Sequence, residues 1–311
     1  MKIAWCFPGQ GSQFVGMGKD LAERYPAARQ VFERADSALG ESLSALCFEG
    51  PAADLTLTRN TQPAILTASM AALAALRERL PDLALPAAAA GHSLGEYSAL
   101  VASSALALED AVRLVRLRGE AMQEAVPSGT GAMAAIMGIP REKLTEICEQ
   151  AQQGEVVSPA NFNAPGQIVI AGHAGAVARA SKLATESQGK AIALNVSAPF
   201  HCALMAPAAG KLALGLETVP VQPLAFPVYA NVDAQPNVDA ARVKGLLVRQ
   251  VDHPVRWEET VTALAQAGVT HVFEIGPGKV LAGLIRRIAK SIEVIPVGTV
   301  EGIESAAKLF S

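Results

Sequence analysis

Apolar and polar positions along the first eighty residues predict one buried strand and one long helix. Residues 3–7, IAWCF, form a short continuous apolar run that is typical of a buried strand, and the glycine-rich loop PGQGSQ follows it. The loop matches neither the Gly-x-Gly-x-x-Gly pattern nor a phosphate-binding P-loop, because no Gly-Lys-Ser/Thr follows. Residues 61–80 are apolar at helical spacing, and Pro63 is tolerable there in a first helical turn.

The next run of small apolar residues, 84–91, predicts a strand despite its alanines, and residues 94–106 predict a helix. Between them lies Gly-His-Ser-Leu-Gly, residues 91–95. Two glycines that flank a serine allow a turn that side chains would block. A strand, a tight turn and a helix are the setting that a Gly-x-Ser-x-Gly nucleophile elbow requires.

The pattern of apolar and polar residues changes near residue 129 and stays different up to residue 197. It predicts strand, helix, strand, strand, helix and strand at 131–139, 140–153, 155–163, 166–172, 174–189 and 190–196. That βαββαβ order is the ferredoxin-like pattern. The predicted fold class is therefore α/β: an α/β-hydrolase-like large domain with a parallel sheet (residues 1–128 and 198–311) and an inserted ferredoxin-like small subdomain (residues 129–197).

The chain after the insertion predicts helices, two strands and a final helix. The strands lie at 226–232 and 271–276, and the terminal helix lies near residues 278–290.

Composition narrows the classes of protein. The 311 residues are half apolar and 18% charged, which indicates a compact globular chain. The formal net charge of −3 argues against nucleic-acid binding, which normally needs a basic stripe. The long uncharged stretches, 156–178 and 191–210, contain Asn, Pro, Gly and His, so we expect no membrane-spanning helix. The N-terminal apolar run is too short for a signal peptide.

The cysteines and histidines give no sign of a metal site. The four cysteines are far apart and form no Cys-x-x-Cys motif: Cys6, Cys47, Cys148 and Cys202. Such isolated cysteines are typical of small buried residues in a protein of the reducing cytoplasm, and less typical of disulfide pairs or metal ligands. The five dispersed histidines have no zinc-binding spacing, so we expect a cytoplasmic protein that needs no metal or cofactor.

Ser93 is the candidate nucleophile. At a strand–turn–helix elbow its hydroxyl is exposed above the sheet, and the N-terminus of the following helix directs amide donors and a positive dipole towards it. The alternative is a glycine-bounded turn without chemistry. A serine nucleophile also needs a base, because its hydroxyl is barely ionised at neutral pH.

His201 is the preferred base among the five histidines. It lies in SAPFHCALM, where the chain leaves the predicted subdomain, and clefts form at such junctions. His92 would point away from its neighbour at a sharp turn. The other three lie in a loop of the subdomain, in a loop before Pro254 and at the start of a buried strand: His173, His253 and His271. A structural or solvated histidine is the alternative for His201.

An arginine interrupts the apolar face of the helix predicted over residues 108–125. Positions 111, 114, 121, 122 and 125 are apolar, and position 118 on the same face is Arg118. A buried guanidinium needs an anionic partner, in the protein or in a ligand, because burying it alone is costly. Three roles are therefore open for Arg118. It forms a structural ion pair, it reaches solvent at the edge of the apolar face, or its guanidinium binds a substrate carboxylate through two parallel hydrogen bonds.

Nine motifs occur in order along the chain: FPGQGSQ (7–13), TQPA (61–64), GHSLGEYSAL (91–100), RLRGEAMQ (116–123), GAMAAIMG (131–138), NFNAPGQIVIAG (161–172), SAPFHCALM (197–205), VYANVDA (228–234) and FEIGPG (273–278). Together they resemble the malonyl-CoA:acyl carrier protein transacylases over essentially the whole chain. The same fold serves acyltransferase domains of polyketide synthases. A single motif would be weakly specific, whereas this ordered set is highly specific.

The resemblance implies acyl transfer through Ser93. Ser93 would attack the thioester of malonyl-CoA, and His201 would take its proton. The backbone amides of Gln10 and Leu94 would form the oxyanion hole, and Arg118 would hold the free malonyl carboxylate. The phosphopantetheine thiol of an acyl carrier protein would then take the malonyl group from the serine, so the reaction is ping-pong.

Two groups are candidates for orienting His201. The resemblance implies a backbone carbonyl, that of Gln250 in VRQVDHPVRW (248–257). Asp252 would instead complete a Ser-His-Asp triad. We favour Gln250.

Further residues are predicted to line the substrate pocket. The resemblance points to Gln62 and Asn161, for which a helix start and a turn residue are the alternatives, and Met122 and Met133 are placed beside them. Phe200 precedes the histidine and resembles the malonyl-selective version of the polyketide acyltransferases. Its ring would exclude an extra methyl group on the α-carbon.

Three functions follow from these residues. The preferred one is a stand-alone malonyl transacylase, a monomer that serves fatty-acid or polyketide synthesis and meets its acyl carrier protein transiently. A discrete acyl hydrolase, or the malonyl-transferring subunit of malonate decarboxylase, would use the same scaffold. Simple acyl hydrolases, however, need no arginine that binds a substrate carboxylate. A non-catalytic protein that docks carrier proteins and keeps only a degraded active site ranks last, because Ser93, His201, Arg118 and Gln10 are all present.

An acidic carrier protein would need a local basic patch despite the negative net charge. Arg286, Arg287 and Lys290 on the predicted last helix are one candidate, and a solvated helix face is the alternative.

Overall fold

A computed structural model describes residues 1–127, 129–196 and 198–310, and these fold around two separate β-sheets. The strands within those ranges are β1 (Ile3–Phe7), β2 (Ala88–Gly91), β3 (Gly131–Met137), β4 (Val157–Ala164), β5 (Gln167–His173), β6 (Lys190–Ala193), β7 (Val228–Tyr229), β8 (Pro236–Asn237), β9 (His271–Ile275) and β10 (Glu293–Val297).

Helices cover both sheets. In the same ranges they are α1 (Lys19–Arg24), α2 (Pro26–Leu39), α3 (Leu43–Glu49), α4 (Ala52–Thr56), α5 (Thr58–Arg79), α6 (Gly95–Ala102), α7 (Leu108–Glu124), α8 (Arg141–Gln152), α9 (Ala174–Glu186), α10 (Ala206–Glu217), α11 (Ala240–Asp252), α12 (Trp257–Gln266), α13 (Val280–Ile288) and α14 (Val300–Ala307). A single 3₁₀ turn, Ala203–Met205, precedes α10.

The larger sheet has six strands in the order β10–β9–β1–β2–β7–β8. Its pairs are parallel except for β7 with β8, which is antiparallel. Successive residues of β1 enter different cores: Trp5 and Phe7 pack with α2, α5 and α7, whereas Ala4 and Cys6 pack with α12 and α13. A strand that is buried on both faces is apolar throughout, as this strand is.

The smaller sheet has four antiparallel strands in the order β4–β5–β3–β6. On β3, Ala134 and Ile136 pack against α8 and α9, while Met133 and Ala135 face the opposite way. The sheet is joined to the rest of the chain by a parallel bridge between Asn161 and Val255. This alternation gives the sheet one face for its own helices and another for the larger body.

The predicted α/β class with a mainly parallel sheet is confirmed, and a separate antiparallel sheet accompanies it. Between residues 131 and 193 the elements follow the predicted order, strand, helix, strand, strand, helix, strand. The predicted boundaries at residues 128 and 197 lie outside the described residues, so the division into domains stays a prediction.

Pro63 lies deeper in its helix than expected. The helix begins at Thr58, so Pro63 occupies the second turn and has no N–H to donate to the carbonyl of Arg59. Side chains stabilise this earlier start: Asn60 Nδ2 donates to the carbonyl of Asp54 at 2.9 Å, and Thr61 Oγ1 donates to that of Leu55 at 2.6 Å.

Two expectations about the last third of the chain are wrong. The strand expected over 226–232 is limited to Val228–Tyr229, because the chain turns at Ala230, whose carbonyl accepts from Ala234 N at 2.9 Å. The helix near residues 278–290 is not terminal, since β10 and α14 follow it. The apolar run IEVIPVG (292–298) was the signal for that strand.

None of the described helices is long and apolar enough to cross a bilayer.

Candidate active site

Three loops at the carboxyl ends of parallel strands β1, β2 and β7 meet at one edge of the larger sheet, which is where ligands bind in open α/β folds. Gln10 follows β1, Ser93 follows β2 and Asn231 follows β7.

Ser93 occupies a sharp elbow that only glycine neighbours permit. Its φ is 52°, in the left-handed region. A Cβ at Gly91 would lie 1.9 Å from the carbonyl carbon of Gly95, and a Cβ at Gly95 would lie 2.2 Å from the carbonyl oxygen of Phe7. The glycines therefore let α6 pack directly against the ends of β1 and β2, with the serine at the turn.

His201 contacts the nucleophile directly. Its Nε2 is 2.7 Å from Ser93 Oγ, and its Nδ1 is 2.8 Å from the backbone carbonyl oxygen of Gln250. A carbonyl only accepts, so Nδ1 carries the proton and Nε2 accepts from the serine hydroxyl. Burial, together with the charge of Arg118, lowers the pKa of His201 to about 3, so the imidazole is neutral at neutral pH.

Asp252 does not reach His201. Its Oδ1 accepts from His253 Nδ1 at 2.6 Å, on the exposed side of the end of α11. The side chain of Gln250, two residues earlier on the same helix, is fully buried. Because two residues turn a helix by about 200°, the two side chains point in nearly opposite directions.

Arg118 is 2% exposed, and its guanidinium donates hydrogen bonds to neutral side chains only. Its Nη1 donates to Gln62 Oε1 at 2.7 Å, and its Nη2 donates to Gln250 Oε1 at 2.9 Å and to Ser93 Oγ at 3.1 Å. Among the described residues, no carboxylate oxygen lies within 4.0 Å of this guanidinium. A buried cation with no carboxylate in direct contact leaves its charge available to an anionic group of a ligand.

The two predicted oxyanion donors flank the elbow. Leu94 follows the serine at the N-terminus of α6, and Gln10 lies in the loop after β1. Within the described part of the chain, neither backbone N–H donates to another protein group. Both amides are therefore available to an oxygen that develops negative charge next to Ser93.

A cavity of about 190 Å³ lies above the elbow. Nine of the predicted site residues line it: Gln10, Gln62, Ser93, Arg118, Met122, Met133, Asn161, Phe200 and His201. Leu94 and Gln250 lie outside the lining. A larger depression of about 530 Å³ between α8 and α12 is bordered by the Arg141–Glu259 ion pair and contains none of the predicted site residues.

Sequence reasoning missed several residues of the site. His92, dismissed as a base, lines the cavity, and its Nε2 is 2.8 Å from Asn163 Oδ1. Asn231 Oδ1 accepts from Ser93 N at 2.7 Å. Glu96 is 3% exposed in the otherwise uncharged helix α6, and this acid within the motif GHSLGEY was an available signal.

Two residues of the predicted basic patch, Arg286 and Arg287, lie in the last turn of α13, and Lys290 lies in the turn after the helix. Arg286, Arg287 and Lys290 are all exposed, and Arg287 Nη1 donates to Gln167 Oε1 of the smaller sheet. Its role in carrier binding stays a prediction.

The sequence is similar to known acyl transferases over nearly its whole length. The model of the acyl transferase domain family matches residues 4–308. A malonyl CoA-acyl carrier protein transacylase of Haemophilus influenzae is 50% identical over 310 residues, which cover 99% of each chain. The protein of the same name from Escherichia coli is 47% identical over 309 residues, again 99% of each.

Solved structures agree with the sequence comparison. An acyl carrier protein S-malonyltransferase of Vibrio cholerae matches with a TM-score of 0.95 and 48% identity, covering 98% of this chain and 100% of that one. A malonyl-transacylase in complex with a type II polyketide synthase acyl carrier protein matches with a TM-score of 0.96 and 45% identity, covering 99% and 100%.

Proposed function

The chain belongs to the acyl transferase domain family, and we propose that it transfers a malonyl group from malonyl-CoA to the phosphopantetheine thiol of an acyl carrier protein. The observation that carries this proposal is the buried Arg118 beside the Ser93–His201 pair, with neutral protein partners only. A nucleophile next to an unpaired guanidinium suits an acyl group that carries its own carboxylate.

In the first half-reaction, Ser93 Oγ attacks the thioester carbonyl and His201 Nε2 takes the hydroxyl proton. The 2.7 Å contact between these atoms supports this transfer. The amides of Gln10 and Leu94 stabilise the negative oxygen of the tetrahedral intermediate. The C–S bond then breaks, the protonated His201 gives its proton to the sulfur, and coenzyme A leaves as the thiol.

In the second half-reaction, the phosphopantetheine thiol gives its proton to His201 and attacks the malonyl-serine ester. The C–O bond to Ser93 breaks and the serine regains a proton from His201. Both half-reactions use the same donors and the same base, as a ping-pong transfer through one site requires.

The malonyl carboxylate also makes His201 a stronger base. Burial and, after it, the charge of Arg118 lower the pKa of His201, and Arg118 Nη2 donates to Ser93 Oγ at 3.1 Å. A bound carboxylate neutralises that charge and competes for that donor, so the basicity of His201 rises when the correct acyl group arrives.

The test is the mass of the intact protein after a brief incubation with malonyl-CoA, followed by a chase with holo acyl carrier protein. We expect a malonyl adduct that is absent in Ser93→Ala, lost in Arg118→Ala and discharged onto the carrier. An adduct that is lost to water but not to the carrier would indicate an acyl hydrolase. No adduct with any acyl-CoA would contradict acyl transfer altogether.

We also propose that residues 129–197 form a ferredoxin-like subdomain inserted in an α/β-hydrolase-like body, and that the protein acts in the cytoplasm. The βαββαβ order of the elements between residues 131 and 193 supports the first proposal. Four free, buried cysteines support the second.

A further inference from the structure

A buried glutamate lies behind the reactive residues and reaches them through two intermediaries. Glu96 is in the first turn of α6 and is 3% exposed. One of its oxygens, Oε2, accepts both from the backbone N–H of Asn231 at 2.9 Å and from Gln250 Nε2 at 2.7 Å. The proposed reaction gives this residue no role.

The first intermediary is the side-chain amide of Gln250, which lies between Glu96 and Arg118. Its Oε1 accepts from Arg118 Nη2 at 2.9 Å, while its Nε2 donates to Glu96 and to the carbonyl oxygen of Ser93 at 3.0 Å. A guanidinium only donates, and Glu96 Oε2 accepts here, so one orientation of the amide satisfies both neighbours. Glu96 and the carbonyl of Ser93 thus hold the amide together, and the amide holds the guanidinium.

The second intermediary is Asn231. Its backbone N–H is held by Glu96, its Oδ1 accepts from Ser93 N at 2.7 Å, and its Nδ2 donates to the carbonyl of Gly91 at 2.7 Å. These bonds hold the left-handed elbow on both sides of the nucleophile. Glu96 is therefore the common anchor of the elbow and of the guanidinium.

We propose that Glu96 is a positioning residue for recognition of the acyl carboxylate: by fixing the amide of Gln250, it holds the Arg118 guanidinium in the cavity through a neutral group. A protein carboxylate in direct contact with Arg118 would compete with the carboxylate of the acyl donor, whereas an amide does not neutralise the guanidinium. This inference rests on the proposed function.

The first variant is Glu96→Gln, which keeps the shape but replaces the carboxylate acceptor of Gln250 Nε2 and Asn231 N with a neutral amide, and so weakens the hold on the Gln250 side chain. The measurement is the rate of Ser93 acylation, as kcat/KM, with malonyl-CoA and with acetyl-CoA, which has no free carboxylate. We expect kcat/KM for malonyl-CoA to fall about tenfold, mainly through KM, and that for acetyl-CoA to fall less than about threefold. The malonyl-to-acetyl ratio is therefore the readout.

The matched control is Glu274→Gln, on β9. Glu274 is also fully buried and accepts from the backbone N–H groups of Leu281 and Ala282 at 2.9 and 2.8 Å, at the start of α13. Its substitution removes a buried carboxylate outside the site. We expect Glu274→Gln to lower the melting temperature and to leave the malonyl-to-acetyl ratio at the wild-type value.

A second variant, Gln250→Met, removes the amide but keeps the backbone carbonyl that His201 uses. We expect the ratio to fall, and Glu96→Gln to lower it no further in that background, because the acid acts on Arg118 through the amide. If Glu96→Gln does not fold, Glu96→Asp, which keeps the carboxylate but shortens its reach to Gln250 Nε2, should lower the ratio in its place.

Two results would overturn the inference: equal losses with both acyl donors, which indicate a purely structural residue, or a ratio that substitution of Glu96 leaves at the wild-type value. A wild-type protein that takes no malonyl group would contradict the proposed function, and this inference with it, before any variant is made.

Discussion

The two sheets contribute different kinds of residue to the same cavity. Elements around the six-stranded sheet supply the groups that react or carry charge, Ser93 after β2, Arg118 on α7 and Gln250 on α11. The four-stranded sheet and the segment after β6 supply the opposite wall, which is apolar apart from two asparagine amides: Met133, Asn161, Asn163, Val169, Leu194 and Val196. The elements around the six-stranded sheet therefore provide the reactive and charged groups, and the four-stranded sheet with the segment after β6 determines the shape of the cavity.

The two sides also differ in how they are held. Ser93, Arg118, Gln250 and Glu96 form a connected set of hydrogen bonds between 2.7 and 3.1 Å. The opposite wall is fixed by sheet pairing and side-chain packing, as Met133 and Val169 on neighbouring strands illustrate. A substitution on the first side removes a specific interaction or an electrostatic effect, whereas one on the second changes the volume and the fit.

The largest effect is expected from Ser93→Ala. Removing the nucleophile should lower kcat/KM for malonyl transfer by at least about 10⁴-fold, because no other group can form the acyl-enzyme. Steady-state transfer to holo acyl carrier protein measures this, with circular dichroism as the control for folding. A residual rate within about a hundredfold of wild type would place the nucleophile elsewhere.

Arg118→Ala should follow, with a loss of about 10²-fold to 10³-fold in kcat/KM for malonyl-CoA. The loss should be much smaller with acetyl-CoA, since that donor presents no carboxylate. The substitution also removes the charge that, after burial, lowers the pKa of His201. Parallel kinetics with the two donors check this. Equal losses would assign Arg118 to the fold instead of to recognition.

Glu96→Gln should change stability in a pH-dependent way. Burial raises the pKa of Glu96 from 4.5 to about 7, although Asn231, Gln250 and Arg118 oppose the shift and Asp233 adds to it. The folded state thus retains the proton that the unfolded state loses. The stability that this provides is complete below about pH 4.5 and is lost as the pH rises through about 7.

The free energy of unfolding of Glu96→Gln, relative to wild type, should therefore rise by about 3 kcal/mol between pH 4.5 and pH 8. Urea unfolding of both proteins across that range measures the difference, and Glu274, present in both, cancels. A pH-independent difference would show that Glu96 titrates normally. A stabilised but less selective variant would show that the charge at this position serves recognition at a cost in stability.

On the shape-determining side, smaller effects are expected. Phe200 is 8% exposed beside the base and lines the cavity, so Phe200→Ala should enlarge the pocket and raise kcat/KM for methylmalonyl-CoA relative to malonyl-CoA by about tenfold. Met133→Ala, on the opposite wall, should change the same ratio by only about threefold because a flexible side chain already yields. Equal kcat/KM values for both donors in the wild type would remove the selectivity hypothesis.

The smallest effect is expected from Asp252→Asn. The side chain bonds His253 on the surface and does not contact His201, so malonyl transfer should change by less than about threefold. A loss of several orders of magnitude in a folded variant would restore the Ser-His-Asp triad.

Local sequence determined much of this molecule. The apolar run of β1, the Gly-x-Ser-x-Gly spacing around Ser93 and the helical spacing that places Arg118 on an apolar face are each visible within a few residues of sequence. Steric exclusion between Gly91 and Gly95 and the helical period that places Arg118 on an apolar face are local rules, so the elbow and the arginine on the buried face were predictable without a structure.

Pairing between distant segments was decided only in the tertiary structure. Ser93 and His201 are 108 residues apart, and Arg118 and Gln250 are 132 apart. From the residue types alone, Asp252 was as plausible a partner for His201 as the carbonyl of Gln250, and only the packing of α11 turned one inward and the other to the surface. Asn231 and Glu96 acquire their roles in the same way, because a hydrogen-bond partner is chosen by three-dimensional proximity, which no local periodicity encodes.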